Sequence, residues 1–395
     1  GVVPVLANVR PGGPAREAGL QTGDKIVEMN GKPISNRAQL MHQLGPLYAG
    51  ETVHLVVERK DERLEFDVPL VDKLPPYAHP FLGILPRRAS ENGQGVVVRY
   101  VFPDSAAAAA DLQPGDRIVK LAGKTIRRRN DLYDALVSAM PGEEVGIEWK
   151  RGDEALNRQV TLGDLPTDVP EKLPPAHEID KDDSLTVEDV GIVEIKLPEF
   201  KNECVAYIPK NYNSAIPHGV LVWLHQPGRF NQKQLLERWK DHCDANDLIL
   251  LAPRARDSQR WHPDEAEFVN RALAELSEKY EVDAARTVVH GWEAGGVMAF
   301  YVFAADKTQI HALAPVDAAM PAQLDVPPLQ PAARAAVYWV YGAQHDAAQR
   351  IKIQRKEFAK LHYPVTTREL DGTGRYLDDD EVSELVRWID SLDRI

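Results

Sequence analysis

Cysteine is almost missing from this chain: two residues, Cys204 and Cys243, in 395. Their spacing matches neither a zinc site nor a redox pair, so both are expected as free structural thiols and no metal or other cofactor is implied. Long apolar runs are missing too; none approaches the roughly 18 residues that a membrane span requires. A basic surplus is also absent. The formal charge of -13 would repel nucleic acid and anionic lipid, so neither is an expected partner. One local basic cluster, Arg127 to Arg129, has no glycine-rich loop or aromatic residue beside it and reads as a solvated loop. What remains is ordinary globular composition, 44% hydrophobic and 27% charged, with enough length for two or three domains that each bury a core.

Sliding the sequence along itself by 92 residues aligns Val5 to Arg59 with Val97 to Arg151 without a gap. The first copy reads PGGPAREAGLQTGDKIVEMNGKPI and the second PDSAAAAADLQPGDRIVKLAGKTI, which is the signature of an internal duplication. Ala15 to Leu20 and Ala106 to Leu112 read as short helices, and Ile26-Val27 and Ile118-Val119 as buried strand. In each copy a second helix follows, with Leu40 and Leu44, or Leu132 and Leu136, on one face. Closing strands are expected at Val53 to Glu58 and Val145 to Trp149. The pattern resembles the bacterial PDZ domains of HtrA-type proteases, whose P-x-S-P-A-x-x-A-G-L-x-x-G-D-x-I run the first copy keeps better than the second, where Asp111 replaces Gly19. The resemblance implies an α+β, partly open barrel for residues 1–73 and 80–163.

In that family a Y-L-G-I loop precedes the run. Phe81-Leu82-Gly83-Ile84 holds this place in the second copy, while the first copy's counterpart would fall before residue 1, so the chain is expected to be part of a longer polypeptide. The backbone N–H groups at Leu82, Gly83 and Ile84 can cradle a terminal carboxylate while the following strand pairs with an extended peptide. Leu132 and Leu136 are expected to line the pocket for the ligand's last side chain, with Phe81 or Leu82 opposite. The first copy, without this loop, is expected to bind no peptide.

Residues 164–188 hold four prolines, many acids and little apolar periodicity, which reads as a linker. From 189 to 395 strands alternate with helices, the pattern of a mostly parallel, doubly wound sheet. Strands are expected at 192–197, 204–208, 220–225, 248–252, 287–290, 312–315, 336–341 and 365–370, and helices at 232–245, 265–279, 294–304, 351–361 and 380–392. Residues 282–300, VDAARTVVHGWEAGGVMAF, resemble the strand, sharp turn and helix of polyhydroxybutyrate-depolymerase-like and feruloyl-esterase-like α/β-hydrolases, where G-x-S-x-G lifts a serine above the sheet. Here Glu293 occupies the serine position. Asp346, in Tyr341-Gly342-Ala343-Gln344-His345-Asp346, matches the family's acid, and Arg375 stands where G-x-G-H would supply the histidine. The oxyanion loop, usually His-Gly-Gly, is His225-Gln226-Pro227-Gly228.

An acyl-transfer site needs a hydroxyl nucleophile and an imidazole within reach, and removal of either costs orders of magnitude in rate. The degenerate positions Glu293, Asp346 and Arg375 therefore predict no catalysis, and Arg375 is expected to bridge both acids as a structural charge cluster. Trp223, Trp261 and Trp292 read as core or as cleft walls. The reading is a peptide-binding or scaffolding region, its partners protein C-termini or extended peptides, with homo-oligomerisation left open. The resemblance further implies a preceding HtrA-like serine protease domain and an extracytoplasmic location. The alternative is an active esterase or peptidase with a relocated nucleophile, Ser258 being the residue to suspect; a third reading is a purely structural assembly unit.

Overall fold

The computed structural model describes residues 2–88, 94–177, 190–228, 230–305, 309–326, 328, 329 and 334–395. In the first half, two small domains repeat one plan. The strand Lys25–Met29 pairs antiparallel with Thr52–Arg59, which returns as Glu62–Pro69. Its counterpart Arg117–Leu121 pairs with Glu144–Arg151, which returns as Glu154–Thr161. The returning strands are a part of the sheet that apolar patterning missed, because they expose most of their residues. Each copy also repeats one ion pair. Asp24 takes Arg59 Nε and Nη2 at 2.7 Å each, and Asp116 takes Arg151 at 2.9 and 2.8 Å. Both carboxylates are buried, so this bidentate pairing fixes the turn against the closing hairpin.

Among the described residues, the second copy has strands without a counterpart in the first. Ile84–Pro86 pairs with Val96–Val101, and Pro80–Phe81 pairs with Gly163–Asp164 at the domain's exit. Residues 164–177 are no free linker. Leu165 and Leu173 pack beside Phe81, Leu85 and Phe102, the Thr167 carbonyl accepts from Thr366 Oγ1 at 2.6 Å, and His177 pairs with Asp247 at 3.1 Å. Prolines fit this path because an extended segment held by side chains needs few main-chain donors. The rest of the expected linker, 178–188, lies outside the described residues.

The C-terminal domain is one eight-stranded sheet. Its strands are β1 Gly191–Ile195, β2 Cys204–Ile208, β3 His218–Leu224, β4 Leu248–Pro253, β5 Val282–Trp292, β6 Ala312–Val316, β7 Ala336–Gly342 and β8 Val365–Leu370. Their order is β1-β2-β4-β3-β5-β6-β7-β8, antiparallel at β1-β2 and β2-β4 and parallel from there on. Helices α1 Gln232–Ala245, α2 Glu265–Lys279, α3 Ala294–Ala305, α4 Ala348–Lys360 and α5 Asp379–Asp390 cover two faces, each with its own apolar core. The central strands are near-continuous apolar runs because both faces are covered. This order and direction make the domain an α/β-hydrolase fold. Cys204 and Cys243 are free and buried, and burial raises both thiols far above the ordinary value. Among the described residues, no helix is long and apolar enough to cross a membrane.

Candidate functional site

The sequence singles out two places: the loop at Phe81 to Ile84, for peptide binding, and the turn at Glu293, where the catalytic positions read as degenerate. The loop is built on Gly83, whose φ is +104°. A β-carbon there would stand 2.0 Å from Ser105 Cβ, so only glycine fits. Ser105 caps the helix Ala106–Ala109 and donates to the Phe102 carbonyl at 2.7 Å, while Phe102 N donates to the Gly83 carbonyl at 2.8 Å. These bonds leave the other side of the loop to Ile395. Gly83 N donates to Ile395 O at 2.8 Å, Ile84 N donates to the same oxygen at 3.3 Å, and Ile395 N returns a bond to the Ile84 carbonyl at 2.9 Å.

The Ile395 side chain is fully buried in the cluster that contains Leu82, Ile84, Leu132 and Leu136. Of Phe81 and Leu82, the alternatives for the opposite wall, Leu82 belongs to this cluster, while Phe81 packs with Leu85 and Phe102 in a separate one, because its strand turns it toward the exit segment. Strand pairing with the segment at Ile395 is limited to one rung. Pro86 follows two residues after Ile84 and has no N–H for another rung.

Side chains take over beyond that rung. Arg88 donates through Nε to Asp393 Oδ2 at 2.8 Å, through Nη1 to Asp390 Oδ1 at 2.6 Å and through Nη2 to the Asp390 carbonyl at 2.7 Å. Arg99 reaches Asp390 at 3.3 Å, and Tyr133 Oη donates to the Asp393 carbonyl at 3.1 Å. Arg334 lies 4.5 Å over the Tyr133 ring and donates to the Arg394 carbonyl at 2.6 Å. Arg129 belongs to the same interface, paired with Asp283 at 2.7 Å, so this member of the basic cluster is not simply solvated. Burial alone would raise the Asp390 carboxyl, but the guanidinium groups of Arg88 and Arg99 overcome it and hold the group below its usual range. Arg88, Arg99 and Asp393 are nearly dry, with side chains 1%, 2% and 0% exposed, which strengthens each charge-assisted bond.

At the second place the structure has the expected strand, sharp turn and helix, with Glu293 at the turn. Glu293 has φ +48° and starts α3, its N–H bonded to the Val316 carbonyl at 2.9 Å. Added β-carbons would lie 2.4 Å from the Gly295 carbonyl carbon at Gly291 and 2.1 Å from the Leu224 oxygen at Gly295, so α3 can only approach β3 and β5 through glycines. Glu293 Oε2 accepts from Gln226 Nε2. Arg375 does not bridge Glu293 and Asp346. It ion-pairs with Glu381 at 2.6 Å and Asp378 at 3.1 Å, because α5 starts with a run of acids three to six residues downstream, nearer along the chain than either expected partner. Asp346 is exposed.

The buried acid here is one that the sequence did not single out: Asp317, after β6, accepts from Gly342 N at 2.7 Å and Trp292 Nε1 at 3.2 Å. Tyr376, next to Arg375, is a second residue that the sequence did not single out. It takes Trp223 Nε1 at 2.9 Å and lies 2.9 Å from His290 Nε2. His290 Nδ1 faces the Ala314 carbonyl at 2.6 Å, which can only accept, so Nε2 is the acceptor for the tyrosine proton. Burial pushes His290 down to about 4 and Tyr376 up to about 12, a neutral structural relay. His225 is likewise committed, with Nε2 accepting from Ala255 N at 3.0 Å and Nδ1 3.0 Å from the Gln226 carbonyl. Ser258 is exposed, and its Oγ accepts from Gln259 Nε2 at 3.2 Å. Trp261 Nε1 donates to the His225 carbonyl at 2.8 Å, so all three tryptophans use their indole N–H inside the domain.

Comparison with known proteins matches the PDZ domain model to residues 2–70 and 80–162. A probable periplasmic serine endoprotease DegP-like from Brucella suis is 29% identical over 156 residues, covering 34% of this chain and 29% of the relative. The periplasmic serine endoprotease DegP of Salmonella typhimurium is 30% identical over 156 residues, covering 38% and 32%. The chain thus spans about a third of the length of these relatives. Among solved structures, a ferulic acid esterase covers 51% of this chain and 98% of its own at 16% identity and a TM-score of 0.40, and an S-formylglutathione hydrolase from Staphylococcus aureus covers 53% and 100% at 12% and 0.39. Residues 2–70 and 80–162 are therefore PDZ domains, and the strand order from residue 191 onward is that of an α/β-hydrolase.

Proposed function

We propose that this chain is a peptide-recognition and scaffolding region, in which the second PDZ groove takes apolar C-termini and the hydrolase-like domain supports it without turning over an acyl substrate. The observation that carries this reading is the convergence of Gly83 N–H and Ile84 N–H on the Ile395 carbonyl oxygen above a pocket that includes Leu132 and Leu136. Similarity to the periplasmic DegP-like endoproteases supports an extracytoplasmic setting as part of an HtrA-like serine protease. The non-catalytic reading rests on Glu293 at the nucleophile turn and on histidines bonded into the framework.

The test uses the chain with residues 392–395 removed, titrated with a labelled peptide ending in isoleucine and with the same peptide amidated at its end. Loss of the terminal charge should weaken binding at least about tenfold, since a charge-assisted bond contributes about 1.5–3 kcal/mol. Equal binding of the two peptides refutes carboxylate recognition. In parallel, the chain should hydrolyse short acyl esters no faster than buffer, and serine-dependent turnover lost in Ser258→Ala would restore the esterase reading.

A further inference from the structure

The second PDZ groove is not presented empty to a partner. Helix α5 is fixed to the hydrolase sheet by Val382, Leu385, Val386, Trp388 and Ile389, all buried. Five residues later Ile395 lies in the groove. The tail between is short, and it is read at three points: its last side chain by the apolar pocket, Asp393 by Arg88, and Asp390 by Arg88 and Arg99. All three arise from residues of the PDZ domain facing residues of the hydrolase-like domain. The same contacts therefore dock one domain on the other.

Resting on the proposed peptide-binding reading, we propose that residues 390–395 of this chain are a built-in ligand that closes the second PDZ groove and locks it to the hydrolase-like domain, and that the partner which opens it is a C-terminal peptide of the same chemistry. That peptide ends in an aliphatic residue and carries an acid two positions before it. Specificity follows from the tail itself. Pro86 limits main-chain pairing to one rung, so discrimination falls on the terminal side chain and on the carboxylate that meets Arg88. A partner lacking the acid leaves a buried guanidinium half-paired and competes poorly.

A tethered ligand acts at an effective concentration in the millimolar range. Against a free peptide of about 10 μM intrinsic affinity, closure then reduces the competent fraction, and the apparent affinity, by about 100-fold.

The experiment titrates a fluorescent hexapeptide, Asp-Ser-Leu-Asp-Arg-Ile, into the intact 395-residue chain, the chain lacking residues 392–395, and the full-length Ile395→Lys variant, which keeps the tail but puts a charge in the pocket. Both altered chains should bind the peptide about 100-fold more tightly than the intact one, and replacing the peptide's second aspartate by lysine should cost at least tenfold. Equal binding by all three chains overturns the built-in ligand while leaving groove recognition standing. Binding by none overturns both. If the truncated chain fails to fold, Ile395→Lys alone decides by the same criterion. An intact chain that is closed but dimeric by light scattering would place the tail in a second copy and overturn the intramolecular form.

Discussion

Arg88 and Arg375 each hold two carboxylates, and substituting them should have very different consequences. Arg88 pairs with Asp390 and Asp393 with its side chain 1% exposed, whereas Arg375 pairs with Asp378 and Glu381 with its side chain 48% exposed. Arg88→Met keeps much of the apolar stem but removes the charge, leaving Asp390 and Asp393 dry, with Arg99 on one and Arg129 3.7 Å from the other. Breaking a buried pair from one side costs about 3–5 kcal/mol, because the abandoned charge stays desolvated. For a cooperative unit of 150–250 residues this lowers the melting midpoint by roughly 6–20 °C. Arg375→Met breaks bonds that water replaces, and the cost is about 0–1 kcal/mol.

Differential scanning calorimetry of the two variants and the parent measures both shifts, and hydrogen exchange at Gly83 and Ile84 reports whether the tail has left the loop. Adding Asp390→Asn to Arg88→Met should recover part of the loss, since the pair is then removed from both sides. An Arg88→Met midpoint within 2 °C or so of the parent, a shift worth about 1 kcal/mol or less, would refute the argument that this interface is dry and dependent on its charges.

Acid should act in two windows. His218 and His290 are each held near 4 by burial, against an ordinary 6.5, so the folded hydrolase-like domain resists their protonation; its stability is intact above 6.5, falls as pH drops toward 4, and loses up to about 3 kcal/mol for each group. Asp390 is held below its ordinary 3.8, so what it contributes is present above that value and lost as pH falls through the depressed one. Asp283 and Arg129, Arg286, Arg88 and Arg99 share that buried network. Urea midpoints from pH 8 to 3 should therefore decline first by histidine protonation, with tail release at Gly83 only below pH 4; release already complete at pH 6 contradicts the assignment. Gly83→Ala, with its methyl 2.0 Å from Ser105 Cβ at φ +104°, should unfold the second PDZ domain or abolish tail binding, as seen in its amide spectrum, while sparing the hydrolase-like sheet. A fully native spectrum in that domain would show that the loop is not built around the glycine.

The order of domains and most strands and helices were legible in the chain because buried parallel strands leave continuous apolar runs, and helices leave a repeating stripe. The shift of 92 residues aligned Asp24 with Asp116 and Arg59 with Arg151, and the structure joins each pair. Spacing alone gave no sign of that bond. The turn at Glu293 was legible through its glycines, since close approach of α3 leaves no alternative residue. What the sequence could not decide was which charge meets which. Arg375 was assigned to Glu293 and Asp346 by analogy of position, yet it joined the nearer acids of α5, because a surface guanidinium takes whichever carboxylates its loop brings within reach. Arg88 lies some 300 residues from Asp390 and Asp393 in the chain, and the three carry no shared local pattern. Local periodicity records which face of a segment is dry; only the tertiary structure, by packing one domain against another, decides that the last isoleucine fills the pocket and that these charges share one dry interface.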